Sequence, residues 1–191
     1  MKYQSSIFML FVIAWALVSC SNNGSRENSV EASEPLYGYN VEERLADLGV
    51  TLKAPPTPIA NYVNSVRSGN LVFMAGKGPT RPEGGYVQGK LGQDLSIDEG
   101  YQAARLAAIA QLSALKAQIG DLNKVVRIVK VTGMVNAGSD FTSHPEVING
   151  FSDFMVEVFG ERGKHARAAV GMGSLPRNIA VEVEMIVEVA N

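Results

Sequence analysis

Residues 165–185 read HARAAVGMGSLPRNIAVEVEM. From Ile179 the sequence alternates as far as Val189. Ile179, Val181, Val183, Met185, Val187 and Val189 share one phase; Ala180, Glu182, Glu184, Ile186 and Glu188 share the other. Successive side chains of a strand leave on opposite faces, so this segment predicts a strand with one apolar and one acidic face. The first half predicts a shorter strand with His165, Arg167 and Ala169 in one phase. Neighbouring strands would then carry one arginine and several carboxylates on their non-core face. Such a face is either an ordinary wet surface or the wall of a site.

Working back from this stretch, Ser143-His144-Pro145-Glu146 matches a capping box and predicts a helix to Phe159, with Val147, Phe151, Phe154, Met155 and Val158 inward and Gly160 as its stop. Lys124 to Asn136 is β-branched and predicts a long strand. Its non-core face is either Val126, Ile128, Lys130, Thr132 and Met134, or Arg127, Val129, Val131 and Val135. Ser96-Ile97-Asp98-Glu99 is a second capping-box match. It opens a helix whose apolar stripe runs from Ile97 through Tyr101, Ala104, Ala108, Leu112 and Leu115 to Ile119. Ala60–Arg67 and Leu71–Ala75 predict a hairpin turning at Ser68-Gly69-Asn70. Asn40–Leu48 predicts a short leading helix. The order is β-β-α-β-α-β-β after that helix. Each main helix has one apolar stripe, so both must cover one face of the sheet in an α+β fold. The other face mixes apolar and charged residues, which predicts contact with further copies in a closed homo-oligomer.

The N-terminus predicts export. Lys2 precedes an apolar run from Ile7 to Val18. At about 12 residues it is short for a bilayer span and fits a signal peptide. The run ends in Leu17-Val18-Ser19-Cys20, which resembles the bacterial lipobox, and Cys20 is the sole cysteine. We therefore expect a lipoprotein signal peptide over 1–19, a lipidated Cys20 with a flexible tether over 20–35, and one folded domain over 36–191. The protein would sit in the cell envelope, periplasmic or on the outer surface, touching the membrane through its lipid anchor only.

Composition excludes several classes. The net charge is −2, without the basic footprint of a nucleic-acid binder. The only histidines are His144 and His165, and no HxH or HExxH spacing offers a metal site. Gly171-Met172-Gly173 lacks the lysine and following helix of a phosphate loop.

The chain resembles the Rid/YjgF family (reactive intermediate deaminases, also labelled endoribonuclease L-PSP). The resemblance is carried by Asn61-Tyr62-Val63, by Leu71 to Gly76, by Val147-Ile148-Asn149, and above all by Ala166-Arg167-Ala168-Ala169-Val170 followed by Leu175-Pro176 and Val181-Glu182-Val183-Glu184. The leading helix, the Pro79–Asp94 loop and the Phe159–Gly163 turn resemble its longer, less characterised branch. The resemblance implies a chorismate-mutase-like fold and a homotrimer with sites in clefts between subunits. It implies hydrolysis, without a cofactor, of reactive 2-imino or enamine acids to 2-keto acids and ammonia. Arg167 matches the arginine that grips the substrate carboxylate, and Glu182 the carboxylate that orients water or moves a proton. Tyr62 matches a tyrosine lining the cleft from the neighbouring subunit, and Asn149 an asparagine at the helix start. The main chain of Ala169 lies where the family uses backbone groups near the substrate.

Two departures bear on function. Ala75-Gly76-Lys77 replaces a hydroxyl residue followed by Gly-Gln, so an amide becomes a cation. Ala168-Ala169 replaces Ser-Cys. Lys77 either favours a more anionic ligand or pairs with Glu182 and silences the site. Arg167 either binds substrate or pairs with Glu182 or Glu184. The competing function is a non-catalytic trimer that binds a small anionic metabolite in the same cleft. Export favours this competitor, because reactive imines arise mainly where pyridoxal phosphate enzymes work, inside the cell.

Overall fold

A computed structural model describes residues 34–191. The expected signal segment, Cys20 and all but the last two residues of the expected tether lie outside the described residues.

Helix α1 (Val41–Asp47) starts at Asn40, whose side chain accepts from the Glu42 and Glu43 amides. Strands β1 (Ser65–Ser68) and β2 (Leu71–Lys77) form the expected hairpin, with Gly69 at φ 61° in its turn. β1 is shorter than its sequence suggests. Residues 60–64 instead continue the irregular segment that follows Pro55, Pro56 and Pro58. Helix α2 (Ile97–Ile119) opens on the full capping box: Glu99 N–H donates to Ser96, and Ser96 N–H to the Glu99 carboxylate. Strand β3 spans Val125–Asn136. Helix α3 spans His144–Phe159, but the capping box expected at Ser143 does not form. Pro145 occupies the first turn and has no N–H to give, and Ser143 has ψ 39° rather than an extended backbone. Strands β4 (Ala166–Met172) and β5 (Val181–Val189) complete the chain.

The five strands form one mixed sheet in the order β1-β2-β5-β3-β4. Only β3 and β4 run parallel, because α3 carries the chain back between them. This is the expected α+β architecture. One face is dry: Val72 and Met74 of β2 and Val181, Val183, Met185 and Val187 of β5 are buried together with Leu112 and Leu115 of α2 and Phe151, Phe154 and Met155 of α3. Helix α1 adds Val41 and Leu45 to the same core.

The alternation on β3 is broken twice, between Val125 and Arg127 and between Ile128 and Lys130. Neither set read from the sequence therefore forms a single face. Val125, Ile128, Val131 and Val135 are buried, while Arg127, Lys130, Thr132 and Met134 lie opposite Glu188, Ile186, Glu184 and Glu182. Each bulge inserts one residue and reverses the phase after it. Arg162 donates to the carbonyl of the bulged Val126 at 2.9 Å.

Helices α2 and α3 meet at Gly150, where a Cβ would fall 2.0 Å from the Tyr101 carbonyl oxygen. That obstacle is backbone and cannot rotate away. We expect Gly150→Ala to cost about 3 kcal/mol and to lower Tm by roughly 6–12 °C in thermal unfolding. An unchanged Tm would mean that the helices have slack at this crossing.

Candidate functional site

The first group of predicted residues gathers where β2 meets β5. Met74 pairs with Met185 and Lys77 with Val183, so β2 spends an extra residue in a bulge at Ala75-Gly76. Gln111 of α2 fills this irregularity. Its side-chain amide donates to the carbonyls of Ala75 (3.0 Å) and Val183 (2.5 Å), and the residue is fully buried. Gly76 then lies directly under Glu182. A Cβ there would stand 2.2 Å from Glu182 Oε1. Glycine is needed for that approach, not for backbone angle. Lys77 donates to Asn64 Oδ1 at 2.7 Å.

These groups border a cavity of about 810 Å³ shared by Tyr62, Asn64, Lys77 and Glu182 and walled by Pro58 and Ile109. Burial pushes the Glu182 carboxyl above the usual carboxylate range; Glu184 adds to the rise and Lys77 opposes it. Burial also holds the Lys77 ammonium below the usual lysine range, against the opposing effect of Glu182. An acid raised and a base lowered in one cleft make a pair suited to proton transfer. Tyr62 lies in irregular chain rather than on a strand and is 55% exposed.

The second group lies at the other edge of the sheet. Arg167 of β4 pairs with Val131, a core residue of β3. Its side chain turns toward α3, where Nη1 donates to Asn149 Oδ1 (2.9 Å) and Ser152 Oγ (3.0 Å). Asn149 and Ser152 are three residues apart on one helix face. Ala169 sits in the same phase as Arg167 and packs partly against the core.

Arg167 and the carboxylates therefore do not share a face, contrary to the sequence expectation. Val131 and Met134 have opposite phases in an unbroken stretch of β3, and they carry Arg167 and Glu182 respectively as neighbours. Arg167 forms no ion pair with Glu182 or Glu184. Glu184 is exposed on the open face.

A family model described as YjgF/chorismate mutase-like, putative endoribonuclease matches residues 42–189. The chain belongs to the YjgF family. It is 43% identical over 152 residues to Protein TCP17 of Trypanosoma cruzi, covering 79% of this chain and 95% of that one. It is 28% identical over 131 residues to the 2-iminobutanoate/2-iminopropanoate deaminase of Escherichia coli K12, covering 69% of this chain and 89% of that enzyme. Its fold matches the crystal structure of Atu1372 from Agrobacterium tumefaciens with a TM-score of 0.74 and 42% identity, over 78% and 92% of the two chains.

Three residues that position the candidate site groups of this YjgF-family protein escape sequence reasoning. Gln111 reads as one more polar residue of a helix, yet it holds the bulge. Asn64 reads as strand, yet it fixes Lys77. Ser152 sits in the helix that carries Asn149, at a spacing of three that would have suggested a shared target.

Proposed function

We propose that this YjgF-family protein hydrolyses 2-imino or enamine acids to 2-keto acids and ammonia at a site completed by a second copy of the chain, in a homotrimer. One observation carries this reading: the carboxylate-binding and proton-transfer halves of the site lie on opposite faces and on strands separated by β3. A single chain cannot close them on one small acid. The open sheet face supports a second copy, because it leaves Phe73 (43% exposed) and Val170 (41%) without cover. β4 is an edge strand, so one row of its main-chain groups, near Ala169, is open as well.

In this reading Arg167 of one copy grips the substrate carboxylate. Glu182 of the next copy takes a proton from water as the water oxygen bonds to the imine carbon. The nitrogen gains protons, the C–N bond breaks, and ammonia leaves behind a C=O group. Tyr62 lines the cleft and Lys77 stabilises anionic character there. The apolar run at 7–18 and Cys20 support an exported, lipid-anchored protein, and the leading helix, the Pro79–Asp94 loop and the Phe159–Gly163 turn support the longer branch of the family.

The second reading, a non-catalytic trimeric binder of an anionic metabolite, is favoured by one departure. Lys77 places an ammonium beside the proposed base. Imine hydrolysis separates the two readings, with imines generated by an amino-acid oxidase and keto acid followed over time. Mixing Arg167→Ala and Glu182→Gln subunits tests the shared site. Random assembly joins an intact Arg167 to an intact Glu182 at roughly a quarter of the sites, so about that fraction of activity returns. No recovery from mixed trimers would place the whole site in one chain. Keto acid binding by a wild-type trimer without turnover would select the binder.

A further inference from the structure

We infer that Ser152 and His165 are positioning residues that set the orientation of the Arg167 guanidinium for a bidentate carboxylate. This rests on the reading of Arg167 as the carboxylate anchor.

The inference follows from a chain of hydrogen bonds with a single consistent direction. His165 Nδ1 lies 2.7 Å from the Gly163 carbonyl oxygen. A carbonyl only accepts, so Nδ1 carries the proton and Nε2 is left as an acceptor. Ser152 Oγ is 3.0 Å from Nε2 and must donate to it. With its proton committed, Ser152 Oγ offers lone pairs to Arg167 Nη1, 3.0 Å away. The second acceptor of Nη1 is Asn149 Oδ1.

Nη1 has two N–H groups, and both are now used. Arg167 keeps Nε–H and the Nη2–H groups, and that edge of the plane is the fork that matches a carboxylate. Asn149 alone would leave the guanidinium free to roll about one contact. Ser152, held by the imidazole, adds the second. The ring itself is fixed by the Gly163 carbonyl and by an edge contact with Phe151, with centroids 6.3 Å apart at 82°. Burial lowers the basicity of His165, the Gly163 hydrogen bond opposes that, and the nearby Arg167 charge lowers it further. A neutral imidazole keeps Nε2 able to accept.

The test uses the full chain as wild type and as Ser152→Ala, Ser152→Thr, Arg167→Ala and the Ser152→Ala/Arg167→Ala pair. Steady-state imine hydrolysis gives kcat and KM, and calorimetric titration with 2-oxobutanoate gives Kd. Ser152→Ala should raise KM and Kd about tenfold with kcat little changed. Ser152→Thr keeps the hydroxyl and should recover most of the affinity. In the Arg167→Ala background, removing Ser152 should have no further effect. The inference is overturned by a wild-type Kd in Ser152→Ala, or by an equal loss whether or not Arg167 is present. A wild-type protein that neither hydrolyses imines nor binds the keto acid removes the anchor role itself, and the positioning role with it.

Discussion

In Arg167→Ala, kcat/KM for a 2-imino acid should fall roughly a hundred-fold. Two charge-assisted hydrogen bonds at about 1.5 kcal/mol each amount to about 3 kcal/mol, and each 1.36 kcal/mol is a factor of ten. Arg167→Lys keeps the charge but not the fork, so the loss should be smaller, roughly tenfold. The fold should be unaffected, because Arg167 sits on an edge strand with polar partners at the surface of α3. Steady-state kinetics beside circular dichroism checks both statements. Full activity in Arg167→Ala would remove the residue from the site.

Glu182→Gln should cost more, roughly 10²–10⁴ in kcat, the range for a general acid–base group. In the wild type, kcat/KM should fall at acidic pH along a limb set by Glu182, above the usual carboxylate range because burial raises that group. The base is active when ionised, so activity rises with pH through this limb. If the Lys77 ammonium is also required, a second limb appears at alkaline pH, below the usual lysine range. Glu182→Gln should abolish the acid limb. Stability should move the other way. A carboxyl raised on folding binds more protons folded than unfolded, so its contribution worsens as pH rises from the unfolded value to the folded one. At neutral pH the variant should unfold at a higher temperature than wild type. An acid limb that persists in Glu182→Gln would assign the base elsewhere.

The fold was largely legible in the chain. The alternation of Val181 to Val189, the Ser96 capping box and the apolar stripes of α2 and α3 each state a local preference that the tertiary structure satisfies. The Ser143 cap does not form: the match considers side chains alone, whereas Ser143 has ψ 39° instead of the extended backbone that aims its hydroxyl at the Glu146 N–H. The individual residues of the candidate site were also visible. Arg167, Glu182, Tyr62 and Asn149 stand in the stretches that carry the family resemblance, Lys77 is the departure next to one of them, and Asn149 does meet Arg167.

Their grouping was not visible, because it depends on phase and long-range contact. A bulge costs one residue and carries no obligatory sequence mark, yet it reverses every face beyond it. The registers of β4 and β5 on β3, Arg167 beside Val131 and Glu182 beside Met134, put those two side chains on opposite faces, and the Gln111-filled bulge of β2 brings Gly76 beneath the Glu182 carboxylate. The Gly163–His165–Ser152–Arg167 relay joins a turn, a strand and a helix, and no spacing rule spans those three. The sequence by itself determined which elements form and which side chains are candidates for the chemistry, since helices and strands answer to local periodicity. The tertiary structure alone decided which of those side chains meet, since that follows from strand register and from contacts between residues far apart in the chain.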